Sequence, residues 1–233
     1  MNKIKKIVTC FLNPSFYKAY MNGVAPLFEL YPLLSQINQI KTIIDIGSNK
    51  GQFSLLAKSL FPEVKIFSFE PQIECLNLQK TILGKKNIKY FNFGLGNIIK
   101  KTNFYITNRE DSSSFLKPIQ IKMNKYKTKK IEKISVKRLD RIIKKNEIKR
   151  PSIMKLDVQG YELEVLRGSK KILRNIDFII AEISFKQVYK KQVTKKKLLQ
   201  FLNRNHFKSK KMFNISKLNN KLFQADILFD RDK

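Results

Sequence analysis

The stretch Thr42-Ile43-Ile44-Asp45-Ile46-Gly47-Ser48-Asn49-Lys50-Gly51-Gln52 decides the fold. Its first half is a compact apolar run ending in glycine, the pattern of a buried strand. From Gln52 to Leu60 the apolar positions fall at helical spacing. Gly47 and Gly51 lie where a tight strand-to-helix turn takes positive φ or brings backbone against a ligand. The spacing is neither the dinucleotide G-x-G-x-x-G nor a P-loop with its Lys-Ser/Thr, so pyrophosphate is disfavoured. Asp45, at the strand end, suits a cationic group such as a sulfonium or an amine. A purely structural βα turn is the alternative.

The same alternation continues outward. Lys65–Glu70 reads as a second strand, Gln72–Leu83 as a helix and Ile88–Phe93 as a third strand. Further on come a strand over Ser152–Val158, a helix over Glu162–Leu173, a strand over Phe178–Ser184 and a helix over Lys195–Asn205. Two last strands fall near Phe207–Phe213 and Phe223–Phe229. This order predicts an α/β fold with a mostly parallel sheet flanked by helices. Thr102–Thr107 and Ile131–Lys137 instead alternate polar and apolar residues, as half-buried antiparallel strands do. Between them Arg109–Lys130 reads as a mobile, lysine-rich insertion, and Leu139–Lys145 as a helix. Residues 1–41, broken at Pro14, Pro26 and Pro32, read as an N-terminal helical arm on a domain over 42–233.

Four clusters carry chemistry. The first is the glycine loop with Asp45, Gly47, Asn49 and Gly51. The second is Glu70-Pro71, roughly 20 residues past the loop, where an acid accepts hydrogen bonds from ribose hydroxyls. Its alternative role is to cap the next helix. The third is the turn Gly94-Leu95-Gly96, which can lie along an adenine or serve only as a turn. The fourth is Asp157 with Gln159 and Gly160, at the end of a buried strand facing the crevice where such sheets bind ligands. Asp157 there acts as a base, orients a hydroxyl, or caps the following helix.

Composition sets the outer limits. The chain has 233 residues, 42% hydrophobic, with eight glycines and seven prolines, which excludes disordered and collagen-like chains. No apolar run reaches the ~20 residues of a membrane span. Cys10 and Cys75 cannot form a disulfide framework and point to a reducing compartment. His206 is the single histidine, so His-based triads and structural zinc are not expected. Met1–Lys6 is basic and Ile7–Leu12 mostly apolar, like the start of a signal peptide. No small-residue cleavage site follows, and a cytoplasmic protein is expected. Phe11, Phe16, Tyr17 and Tyr20 are spaced like a packing stripe.

The net charge of +30 raises nucleic acid as a partner. The excess is lysine rather than arginine and is spread along the chain, with denser runs at Lys122–Lys137, Lys186–Lys197 and Lys208–Lys211. Arginine is the usual phosphate and guanine reader. Compositional drift is thus preferred over a selected polyanion site, and lysine contact with a membrane surface is a third reading.

Asp45–Gln52, Phe69-Glu70-Pro71, Asp111-Ser112-Ser113-Ser114 and Lys155–Gly168 (KLDVQGYELEVLRG) together resemble the FkbM family of S-adenosylmethionine-dependent methyltransferases. Gly23-Val24-Ala25-Pro26, Ala181–Phe185 and Gln224-Ala225-Asp226 extend the resemblance along nearly the whole chain. It implies a class I, Rossmann-like fold: seven strands, the last antiparallel, with S-adenosyl-L-methionine held by the glycine loop and Glu70. Members methylate oxygen on sugars or natural products, so a small-molecule or glycan acceptor is implied. Asp157 and Glu182 are the catalytic candidates. Asp111, Ser112, Ser113, Ser114 and Gln159 are candidates for the acceptor. Many members carry Glu where this chain has Gln159, which weakens a charge or metal-binding role there. A Mg²⁺ held by Asp157 and Glu182 is therefore disfavoured. The alternative function is a basic RNA-binding protein or RNA methyltransferase. The oligomeric state is left open.

Overall fold

A computed structural model describes residues 3–119 and 123–232, with side chains from Val8 onward. The side chains of the basic opening, and Lys122 at the head of one lysine run, lie outside that description. In chain order the elements are α1 (Lys3–Leu12), α2 (Pro14–Met21), α3 (Tyr31–Leu34), β1 (Thr42–Ile46), α4 (Gln52–Leu60), β2 (Lys65–Phe69), α5 (Ile73–Leu83), β3 (Ile88–Phe91) and β4 (Gly94–Leu95). There follow β5 (Lys100–Thr107), β6 (Thr128–Lys137), α6 (Leu139–Ile142), β7 (Ser152–Leu156), α7 (Glu162–Gly168), β8 (Phe178–Ser184), α8 (Lys195–Arg204), β9 (Phe207–Leu218) and β10 (Lys221–Arg231).

Seven strands form one sheet in the order β3-β2-β1-β7-β8-β10-β9. β1 pairs in parallel with both β2 and β7, and only β10 runs against its neighbours. This is the mostly parallel α/β sheet expected from the sequence. The strand order reverses at β1, so the crevice at the carboxyl ends of β1 and β7 is the natural ligand position.

Side-chain alternation along the strands gives the sheet two cores. Ile44, Ile46, Met154, Leu156, Ile179 and Ala181 face α7 and α8. Ile43, Ile66, Ile153 and Ile180 face α4, α5 and the N-terminal helices. The arm is part of this second core through Cys10, Phe16, Ala19, Val24, Leu30 and Leu34. Of the expected aromatic stripe, only Phe16 is buried; Phe11, Tyr17 and Tyr20 are exposed.

A smaller sheet, β4-β6-β5, lies outside the main one, with β5 and β6 antiparallel. The turn expected at Gly94-Leu95 is in fact a short strand parallel to β6. The segment read as a mobile insertion is anchored where it is described. Ser114 bridges to Tyr105, Pro118 bridges to Tyr189, and Tyr126 is buried. α7 stops at Gly168 rather than Leu173, and glycine at that end lets the helix approach the turn after β4, because a Cβ there would come within 2.1 Å of the Gly96 carbonyl oxygen. α6 is also shorter than expected, ending at Ile142.

Candidate functional site

A crevice opens at the carboxyl ends of β1, β2 and β7. Gly47, Asn49, Glu70, Pro71, Gly94, Leu95, Asp111, Ser113, Asp157 and Gln159 line it, all of them sequence candidates. Phe69, Phe93, Phe104 and Phe115 supply apolar walls. Sequence reading quoted Phe69 and Phe93 only within motifs and missed Phe104, Phe115 and Gln72, because nothing local marks them as neighbours of the glycine loop.

The loop after β1 needs its first glycine. Gly47 has φ +74°, and a Cβ there would meet the Asp157 carbonyl oxygen at 2.0 Å. The two strand ends can therefore approach only with hydrogen at that position. The loop is pinned from behind by Gln79, whose Nε2 donates to Ser48 Oγ and to the Asn49 carbonyl, each at 3.0 Å. Gly51 takes the expected positive φ, +83°, as N-cap of α4, and a Cβ there would also strike Gln79 at 2.6 Å; neither it nor Gly96, which packs on Val136 and Tyr161, lines the crevice.

Glu70 is buried at the end of β2. Its Oε2 accepts the Asn49 N–H and its Oε1 the Gln72 N–H, each at 2.8 Å. Gln72 is the N-cap of α5, so Glu70 ties the helix start to the glycine loop as well as facing the crevice. Burial pushes its carboxyl up to about 7, against the pull of the backbone donors.

Asp45 is placed differently from expectation. It is fully buried beneath the crevice and does not line it. Its Oδ2 accepts from Ser54 Oγ at 2.6 Å, and in the sheet Asp45 pairs with Lys155 of β7. The Asp45 carboxylate thus answers a cation inside the protein. Lys155 is buried, and its Nζ lies 2.9 Å from Asp157 Oδ2. Burial works to lower the Lys155 ammonium, but Asp157, Asp226 and Asp45 together outweigh it and hold the group above its ordinary value.

Asp157 is the half-exposed end of this network. It does not cap α7, whose N-cap is Tyr161. Its Oδ1 accepts from Gln159 Nε2 at 3.0 Å. The same Nε2 donates to Glu182 Oε2 at 2.6 Å, and Gln159 Oε1 accepts the Tyr189 hydroxyl at 3.0 Å. Glu182 stands behind Gln159, apart from the crevice lining, and also accepts from Gln224 Nε2 at 3.2 Å. Desolvation first, then Asp157 and Asp226, push its carboxyl well above the usual range.

The serine loop divides into two roles. Asp111 and Ser113 reach the crevice, while Ser113 Oγ also accepts the Thr107 N–H at 3.1 Å. Ser112 and Ser114 are buried supports: the Ser112 carbonyl shares the Tyr189 hydroxyl hydrogen with Gln159 Oε1, and Ser114 Oγ donates to the Gln159 carbonyl. Cys75 is buried in α5 with its thiol pushed up to about 12 by burial, so no thiolate nucleophile is offered there. His206 is exposed between α8 and β9. No group of three or more His, Cys, Asp or Glu side chains suited to a metal ion occurs among the described residues.

The profile of the methyltransferase FkbM domain matches residues 45–209. The chain is similar to the hexuronic acid methyltransferase AglP of Haloferax volcanii, 26% identical over 154 residues, 65% of this chain and 59% of the relative. It is also similar to the 2-O-methyltransferase NoeI of Sinorhizobium fredii, 23% identical over 170 residues, 69% of this chain and 70% of the relative. The chain thus spans about three fifths of the archaeal relative's length. Among solved structures, an rRNA methylase from Streptococcus thermophilus superposes with a TM-score of 0.51 at 12% identity, covering 89% of this chain and 97% of that one. That likeness concerns the fold alone. With most of the chain inside the matched region, the protein belongs to the FkbM methyltransferase family.

Proposed function

We propose that the protein transfers a methyl group from S-adenosyl-L-methionine to a hydroxyl of a sugar or related small acceptor. The observation that carries this reading is Glu70, a buried carboxylate held by two backbone donors on the wall of the same crevice as the glycine loop and Asp157. The residues present fit the cofactor. Asn49 Oδ1 is buried without a hydrogen-bond partner beside the glycine loop, an acceptor suited to an ammonium or hydroxyl donor. Glu70 has lone pairs left for ribose hydroxyls. The phenylalanine walls suit a flat aromatic base.

When bound, the cofactor supplies an electrophilic methyl carbon on a sulfonium. The residues of this chain provide position and proton handling. The Gly47 loop and Glu70 hold one partner, and Asp157 orients the acceptor hydroxyl. Asp157 would take the proton that the acceptor hydroxyl gives up on methylation. Lys155 holds Asp157 Oδ2 and Gln159 holds Oδ1, while the residue lines the crevice. Asp111 and Ser113 offer polar contacts to an acceptor rich in hydroxyls.

The names of the similar proteins, a hexuronic acid methyltransferase and a 2-O-methyltransferase, support a sugar acceptor over RNA. Unpaired Cys10 and Cys75 support the cytoplasm as the place of work. The test is transfer of a radiolabelled methyl group to a panel of uronic acids, neutral sugars and total RNA. Label in the sugars is expected; label only in RNA would overturn the acceptor assignment.

A further inference from the structure

The outer faces of α1 and α2 carry an apolar patch that the crevice chemistry does not use. Phe11 is 57%, Leu12 79% and Met21 66% exposed, with Val8, Tyr17 and Tyr20 also at the surface. The Phe11 ring lies 5.5 Å from that of Tyr17 and 5.9 Å from that of Tyr20, which joins the two helices into one surface. The opposite sides of the same helices are anchored, because Cys10, Phe16 and Ala19 belong to the core. The patch is therefore built on packed helices. Folded proteins rarely leave such contiguous apolar area in water without a partner.

Charge identifies the partner. Lys3, Lys5, Lys6 and Lys18 fall in this segment, and the first acidic residue of the chain is Glu29. Exposed Phe, Leu and Met in a segment whose only charges are lysines, with tyrosines among them, is the makeup of a helix that lies in a bilayer interface. Its apolar side chains enter the acyl boundary while lysines meet anionic headgroups. No described helix is long and apolar enough to cross a membrane. We infer that α1 and α2 form a docking surface for an anionic lipid bilayer.

The segment after the docking helices touches the start of α4. The chain that leaves α2 reaches Leu27, whose N–H donates to the Gln52 carbonyl at 3.1 Å, at the first residue of α4 after the glycine loop.

The test is co-sedimentation of the full chain with vesicles of phosphatidylcholine alone, and of phosphatidylcholine mixed with phosphatidylglycerol. Binding to the mixed vesicles is expected, with affinity for the neutral ones at least about tenfold lower. Phe11→Ser with Leu12→Ser should weaken binding to mixed vesicles by about tenfold or more. Lys208→Ser with Lys211→Ser, on β9, should leave it within about twofold. Circular dichroism checks folding, and Tyr20→Ser with Met21→Ser serves if the first pair does not fold. Three results would each overturn the inference: no wild-type binding, equal binding by the patch variants, or an equal loss with the β9 pair. Light scattering that finds a dimer which the patch variants turn into monomers would also overturn it, by assigning the patch to a second copy.

Discussion

Gln159 stands between Asp157 and Glu182 and gives one amide hydrogen to each, at 3.0 Å and 2.6 Å. A carboxylate in its place has no hydrogen to give unless protonated. Gln159→Glu should therefore cost about 1–3 kcal/mol of stability for the acceptors left unsatisfied. The introduced acid is favoured in its protonated form beside two carboxylates, so its folded-state pKa rises. Stability should then fall further as pH rises. Melting temperatures at pH 6 and pH 8 check this: the deficit relative to wild type should be larger at pH 8. An equal deficit at both would show that charge is not the cause.

Asp157 faces the crevice while serving as one of the counter-charges of Lys155. Asp157→Asn keeps the shape and removes the base, so kcat should fall by about 10²–10⁴. Affinity for S-adenosylhomocysteine should change little, because the glycine loop and Glu70 are untouched. Single-turnover methylation and calorimetry, run side by side, read the two quantities. A parallel collapse of both would assign Asp157 to the pocket or the fold.

Lys155→Met would take the ion-pair partner from Asp157 and the nearby cation from buried Asp45 and Asp226. Breaking a buried pair by removing one partner costs about 3–5 kcal/mol. Thermal unfolding should show a large loss. Lys155→Met with Asp45→Asn should regain part of it, since the neutral amide can still bond Ser54. No recovery in the double variant would contradict the pairing.

The pH dependence of cofactor binding follows from Glu70. Burial puts its folded-state pKa at about 7, above its unfolded value. Between those values the unliganded fold holds a proton that the unfolded chain has lost, so Glu70 costs stability as pH rises through that window. Ribose hydroxyls favour the ionised form. Affinity for S-adenosylhomocysteine should therefore increase as pH rises toward 7, by up to about tenfold per unit, and level off above it. Glu70→Gln should flatten that curve. Calorimetry at pH 5.5, 6.5 and 7.5 separates the two shapes.

Much of this site is legible along the chain. The βα turn at Gly47, the acid at Glu70 and the strand end at Asp157 follow from local pattern and from the rule for parallel sheets. The partners of Asp45 are not legible, because its pairing with Lys155 needs the order in which β1 and β7 meet. Tyr189 and Gln224 reach the Gln159–Glu182 pair from distant segments without any motif of their own. Gly94-Leu95 is too short to show a strand period. The spacing of Phe11, Tyr17 and Tyr20 marks a helix face without saying whether that face turns inward, and the structure turns it outward.

The central claim is that the crevice at β1, β2 and β7 holds the adenosyl cofactor through Glu70. Titration calorimetry with S-adenosylhomocysteine at pH 7.5 tests it most directly. The account predicts saturable one-to-one binding by the wild type, weakened by roughly 1–3 kcal/mol, about 5- to 150-fold, in Glu70→Ala. No binding heat with folded wild-type protein, or unchanged affinity in a folded Glu70→Ala variant, would contradict it.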